Sequence, residues 1–222
     1  MTDFAAQRTK MVESQIRTED VTDYRVLAAM GAVPRERFVP ENLRTLAYID
    51  EDLLLTVRGA TPARYLMKPA SFARLVQTAE IVEGDRVLDI GCATGYGAAV
   101  LARLAAVVVA LESDASLAVI ATATLRELGV ANAVVVTGPF ETGSGREAPY
   151  DVILIEGAVE IVPEALFALL REGGRLLAVI GYGRSAMATV YTKTEGEVGR
   201  RPAFDAYVRP LPGFERPKAF VF

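Results

Sequence analysis

Residues 86–97 read RVLDIGCATGYG, and their reading decides the fold. A short apolar run, Arg86–Ile90, breaks at once into a turn of small residues. Helix-forming sequence follows over Ala98–Leu104. The same order of strand, turn and helix then recurs. Val107–Leu111 (VVVAL) is a fully apolar strand, and Asp114–Leu128 a helix capped by Gly129. Ala133–Thr137 and Asp151–Ile155 are further strands. Pro163–Arg171 is a helix ending at the Gly173-Gly174 pair, and Leu176–Ile180 is a fifth strand. Strands apolar on both faces, alternating with helices, predict a parallel sheet covered on both sides. The last strands have no helices between them. Ala188–Lys193 and Phe204–Arg209, with Ala219–Phe222 after them, read as an antiparallel edge.

Composition shifts near residue 84. Before it the chain is more charged and reads as helical: a loose apolar stripe over Phe4–Arg17, and a helix over Tyr24–Met30 with Asp23 as N-cap and a stop at Gly31. A third helix is expected over Pro69–Glu80, with proline in its first turn. VPRERFVP, residues 33–40, is bracketed by prolines and should be extended or turned. We therefore expect one domain over 1–222. Residues 1–80 form a helical, substrate-facing segment, and 81–222 form a Rossmann-like, ligand-binding core.

The 222 residues carry 24 Lys+Arg against 28 Asp+Glu, a net charge of −4 that gives no electrostatic case for nucleic acid. The chain has no histidine and one cysteine, which excludes Cys/His zinc sites, Ser-His-Asp triads and an internal disulfide. Neither a signal-peptide core nor an uncharged apolar run long enough for a membrane span is present, so cytoplasmic residence is the default.

An open parallel sheet binds ligands beyond the carboxyl ends of its strands, where the strand order reverses. Small residues at Gly91, Ala93 and Gly95 let the backbone approach a ligand closely. A dinucleotide fingerprint would need glycine at positions 93 and 96, where Ala93 and Tyr96 stand. Asp89, ending the first strand, would repel a pyrophosphate. It would attract a ligand carrying an ammonium and a sulfonium, as S-adenosyl-L-methionine does. Glu112, with Ser113 after it, lies about 20 residues past the turn, where an acid can accept hydrogen bonds from a ribose diol. Gly138, Pro139 and Phe140 end the third strand, either covering an adenine ring or forming a plain turn. Glu156 ends the fourth strand and serves either the ligand or the fold. Cys92 reads as a small packing residue rather than a nucleophile.

VLDIGCATGYGAAVLA, VVALE, GVANAVVVTGP, APYDVILIEGAVEIVPEAL and GGRLLAVIG resemble the protein-L-isoaspartate O-methyltransferases. MVESQIR, VPRERFVP and LAYIDEDL resemble that family's leading segment, so the likeness runs from about Met11 to Gly181. The resemblance implies the three-layer class I S-adenosylmethionine methyltransferase fold, mostly parallel, with antiparallel terminal strands and an N-terminal helical segment. It implies methyl transfer to the carboxylate of isoaspartyl residues in damaged protein or peptide, by a monomer or homodimer. It places cofactor contacts on Gly91, Ala93, Gly95, Glu112 and the Gly138-Pro139 turn.

The chain departs from the family at three points. Met67 stands where the family has its catalytic serine, and Ser71 is nearby but shifted. Gly138-Pro139-Phe140 replaces Gly-Asp-Gly. The run after the fourth strand, Glu156 to Glu160, is more acidic. These departures leave two alternatives: a methyltransferase of the same fold with another acceptor, and a cofactor-binding protein without isoaspartyl activity. A carboxylate acceptor arrives ionised and needs no general base, which suits a chain without histidine. Arg37, Arg64 and Lys68 could face an anionic substrate, although each also reads as a solvated surface cation.

Overall fold

A computed structural model describes residues 2–56, 59 and 62–216. Helix α1 spans Phe4–Met11 and continues through a π-helical turn, Val12–Ile16, into a 3-10 turn, Arg17–Glu19. Helix α2 spans Tyr24–Ala32, with the Asp23 carboxylate accepting from the Arg25 amide as the N-cap. Within VPRERFVP the residues Arg35–Phe38 form a 3-10 turn. Strands β1 (Leu53–Leu54) and β2 (Tyr65–Leu66) make a small antiparallel pair, and helix α3 runs over Pro69–Thr78.

The core alternates as expected. Strand β3 (Arg86–Ile90) leads to α4 (Tyr96–Leu101), β4 (Val107–Glu112) to α5 (Ala115–Glu127), and β5 (Ala133–Thr137) follows. Strand β6 (Tyr150–Val159) precedes α6 (Glu164–Ala168), and β7 (Leu170–Ile180), β8 (Met187–Thr194) and β9 (Glu197–Asp205) finish the sheet. Its order is β5-β4-β3-β6-β7-β8-β9. Pairing is parallel from β5 to β7 and antiparallel for β8 and β9.

Successive strand residues point to opposite faces, and the apolar residues divide accordingly. Val87, Val108, Ala110, Val152 and Leu154 join one core with α2 to α5 and the N-terminal segment. Leu88, Ile90, Val109, Leu111, Ile153 and Ile155 join a second with Phe140, Leu166 and Phe214. The result is the three-layer arrangement. Among the described residues no helix is long and apolar enough to cross a membrane.

Three expected elements differ. Helix α4 begins at Tyr96, straight out of Gly95 in the left-handed conformation, rather than at Ala98. The helix expected over Pro163–Arg171 stops at Ala168, because Leu170 already pairs with Tyr150. Gly173 and Gly174 lie inside β7, where the register with β6 shifts, and do not end a helix. The last antiparallel strand is Glu197–Asp205, not Phe204–Arg209. The two-residue hairpin Glu195-Gly196 has φ of 56° and 81°, the positive pair of a type I′ turn, and that turn returns the chain at once into pairing. Pro202 is tolerated there because β9 is an edge strand. The strand expected over Ala219–Phe222 lies outside the described residues.

A Cβ on Gly174 would sit 2.9 Å from the Arg171 carbonyl oxygen and 3.0 Å from that of Tyr150, both backbone atoms that cannot yield cheaply. Gly174→Ala should therefore destabilise by about 1–3 kcal/mol in urea unfolding. Gly199→Ala, with open space around its Cβ, should stay within about 0.5 kcal/mol. Equal losses would contradict the bulge geometry.

Candidate active site

The strand order reverses at β3, flanked by β4 and β6. Register aligns Ile90 with Leu111 and with Ile155, which brings three acids together: Asp89 and Glu112 at the carboxyl ends of β3 and β4, and Glu156 not at a strand end as expected but at a register shift within β6, which runs on to Val159. Asp89 and Glu112 are fully buried and Glu156 is 8% exposed.

Glu112 is completely engaged. Its Oε1 takes the Nη1 of Arg64 and the Asp114 amide, and its Oε2 takes the Arg64 Nη2 at 2.9 Å and the Ala93 amide at 2.8 Å. Ser113 Oγ lies at 3.5 Å from Oε1. The Arg64 guanidinium also donates to the Gly91 carbonyl at 3.3 Å and lies 5.0 Å from the centre of the Phe140 ring. Arg64 is thus no surface cation: it is 2% exposed, inside the ring of residues expected to hold a cofactor. Phe140 is buried, with Phe214 stacked parallel to it at 6.4 Å.

Asp89 and Glu156 form the second charge unit. Neither Asp89 oxygen has a protein donor, and neither does Glu156 Oε1. The two carboxyls are close enough to shift each other's proton affinity. Burial first, then the neighbouring carboxylate, pushes Glu156 well above the usual range. Burial likewise pushes Asp89 up to about 7. The Glu156 carboxyl occupies the place of a Cβ on Gly97, so any larger residue there must displace that carboxyl. Cys92, fully buried, has a thiol that burial pushes up, which suits packing and not nucleophilic attack.

A second arginine holds the N-terminal segment against this turn. Arg35, wholly buried, donates from Nε to the Ala47 carbonyl at 2.8 Å and from Nη2 to the Met67 carbonyl at 2.7 Å. Its guanidinium lies 4.6 Å from the centre of the Tyr96 ring, at the first residue of α4. Thr94 Oγ1 adds a bond to the Phe38 carbonyl at 2.5 Å. Asp50 and Asp52 accept from the Ala70 and Lys68 amides, both at 2.9 Å, and fix the residues around Met67.

Met67 and Arg64 border a cavity of about 10 Å³, room for one water-sized sphere, together with Glu156, Arg209 and Leu211. Ser71 is buried inside α3 and does not line this cavity. Arg37 pairs with Glu127 on the surface at 2.6 Å and is absent from the cavity lining. Sequence reasoning placed the acids but missed the buried roles of Arg64 and Arg35. The available signal was charge: acids ending neighbouring buried strands need cations from elsewhere in the chain.

The sequence profile described as Protein-L-isoaspartate(D-aspartate) O-methyltransferase (PCMT) matches residues 6–211. The chain is 38% identical over 213 residues to a Koribacter versatilis protein named protein-L-isoaspartate O-methyltransferase, covering 96% of this chain and 94% of that one. It is 40% identical over 207 residues to a Methanoculleus marisnigri protein of the same name, covering 93% and 92%. A solved protein-L-isoaspartate O-methyltransferase superposes with a TM-score of 0.82 at 28% identity, over 93% of this chain and 66% of that one. A Plasmodium falciparum chain assigned to the same activity, in complex with S-adenosyl-L-homocysteine, shares the fold with a TM-score of 0.75 at 19% identity, over 96% and 100%.

The raised proton affinity of buried Asp89 gives a pH signature. An unfolded aspartate releases its proton near ~3.9, and folded Asp89 holds it to about 7. The folded state binds more protons in that window, so stability is full below pH ~4 and falls as pH rises through 7. The loss is on the order of 4 kcal/mol, about three units at about 1.4 kcal/mol each. Asp89→Asn should flatten the urea midpoint between pH 5 and pH 8. A wild-type profile no steeper than the variant's would contradict the assignment.

Proposed function

The chain belongs to the protein-L-isoaspartate(D-aspartate) O-methyltransferase family, and from that premise we propose that it methylates the side-chain carboxylate of L-isoaspartyl residues in damaged proteins, with S-adenosyl-L-methionine as donor. The supporting observation is the buried ring of Asp89, Glu112 and Glu156 around the Gly91–Gly97 turn. Orphaned oxygens on Asp89 and Glu156 suit an ammonium and sulfonium ligand and oppose a phosphate. The donor set therefore fits the cofactor. Glu112, with Ser113 beside it, would hold the ribose hydroxyls. The backbone at Gly91, Cys92, Ala93 and Gly95 would approach the methionyl part, with Asp89 and Glu156 behind it. Gly138, Pro139 and Phe140 would cover the adenine.

The bound donor supplies an electrophilic methyl group for in-line displacement. The chain's own work is alignment and exclusion of water, and near-attack geometry can supply about 7–11 kcal/mol. The acceptor carboxylate is already ionised near pH 7, so no residue has to act as a base. Residues 1–222 act in this reading as one methyltransferase domain. The enzyme is cytoplasmic, a setting its lone thiol fits, and acts as a monomer or homodimer.

A second reading has its own support. Met67 stands in the family's serine position, is 4% exposed, and carries no donor for a carboxylate. The same catalytic core would then serve another acceptor.

Two measurements separate the readings. S-adenosylhomocysteine should raise the melting temperature. Labelled S-adenosylmethionine with an isoaspartyl peptide should give a base-labile methyl ester. A thermal shift with no ester, where a known family member reacts, rejects the isoaspartyl acceptor. No thermal shift rejects the cofactor as well.

A further inference from the structure

The Arg64 guanidinium lies between two places at once. On one side it satisfies Glu112 through both nitrogens and touches the Gly91 carbonyl. On the other it borders the small cavity that Asp52, Met67, Glu156, Arg209 and Leu211 also line. Every Glu112 oxygen lone pair in reach is taken, so no ribose hydroxyl can bind there while Arg64 stays. Space gives the same answer. Pockets for ligands of this size run to several hundred cubic ångströms, about 300–1,000, and the cavity beside Arg64 is about 10 Å³. The cation must leave for the cofactor to enter.

Leaving creates a debt in charge. A guanidinium cannot shed its proton in a protein, and a buried one needs an anionic partner. Asp89 and Glu156 are the acids left for the cofactor's own ammonium and sulfonium, so they are not free to serve as that partner. Arg64 cannot travel far, because its backbone is fixed: its carbonyl accepts from the Leu55 amide at 2.9 Å, and its amide donates to Thr56 Oγ1 at 3.2 Å. Within that radius stands Arg209, whose guanidinium lies 5.3 Å from the centre of the Tyr65 ring on the same cavity wall. Two acids share that lining, but Asp52 already accepts from the Lys68 amide and burial holds Glu156 toward its neutral form. Two guanidinium groups thus face fewer free carboxylates than their own number, beside a Met67 that cannot donate, and an anion completes the balance.

On the reading that this is an isoaspartyl methyltransferase, we propose that Arg64 is its acceptor-binding residue: the cofactor's ribose displaces it from Glu112, and it then pairs with the acceptor carboxylate beside Arg209. Arg64 takes over the anchoring for which Met67 lacks a hydroxyl. Cofactor and acceptor binding become coupled, since the first ligand frees the cation the second requires.

Calorimetric titration with S-adenosylhomocysteine and steady-state kinetics on an isoaspartyl peptide test this in wild type, Arg64→Ala and Arg64→Lys. Arg64→Ala should bind S-adenosylhomocysteine at least tenfold more tightly, while the peptide KM rises at least tenfold and kcat changes less. Arg64→Lys should keep part of the peptide affinity. Unchanged or weaker S-adenosylhomocysteine binding by Arg64→Ala overturns the proposal, and so does tighter binding with an unchanged peptide KM. Wild type alone gives a readout that survives misfolding of the variants. A fluorescent isoaspartyl peptide should bind at least tenfold more tightly with S-adenosylhomocysteine present than without it, and equal affinities overturn the coupling. Wild type that binds no S-adenosylhomocysteine at all rejects the functional reading itself, and the proposal with it.

Discussion

Three carboxyl groups lie side by side on three neighbouring parallel strands, and the fold buries them all. Parallel register leaves no freedom here. Once β3 pairs with β4 and β6, Asp89, Glu112 and Glu156 must share one end of the sheet. Burying three unpaired carboxylates would cost far more than a domain's net stability of about 5–15 kcal/mol. The chain neutralises them in two ways. Arg64 reaches in from the segment before α3 and takes Glu112, and burial holds the carboxyls of Asp89 and Glu156 toward their neutral form. The same electrostatics explain why the site is hostile to phosphates and receptive to a cationic ligand.

That arrangement explains the N-terminal segment. Arg64 must be held over the strand ends, and β1, β2 and the residues around Met67 hold it. These in turn are pinned by Asp50, Asp52 and the wholly buried Arg35. Arg35 links the Met67 carbonyl to the Tyr96 ring, so the segment and the glycine turn are positioned by one side chain. The π-helical turn after α1 buries Val12 and Ile16 in the same core as Val87 and Val108. The leading residues are thus part of the site's construction.

The alternation of strand, turn and helix was legible because it is a local pattern. β3, α5 and β5 fall almost where periodicity puts them, and Asp114, expected as the first residue of α5, is its N-cap. The strand-end acids were legible for the same reason. Non-local facts were not. The helix expected over Pro163–Arg171 gave way to β7 because Tyr150, twenty residues earlier, pairs with Leu170. The edge strand β9 was displaced because the hairpin at Glu195-Gly196 fixed its start, whereas its own composition, with Arg200, Arg201 and Pro202, is polar. Arg64 looked like a surface charge because its partner is 48 residues away. A charged residue's burial depends on what the fold brings to it, and a single sequence does not display that.

The most direct test of the account is a crystal structure of the protein with S-adenosylhomocysteine bound. The account predicts ribose hydroxyls on Glu112, the methionyl ammonium near Asp89, and the Arg64 side chain moved off Glu112 toward Arg209. A ligand bound elsewhere, with the Arg64–Glu112 pair intact, would contradict it.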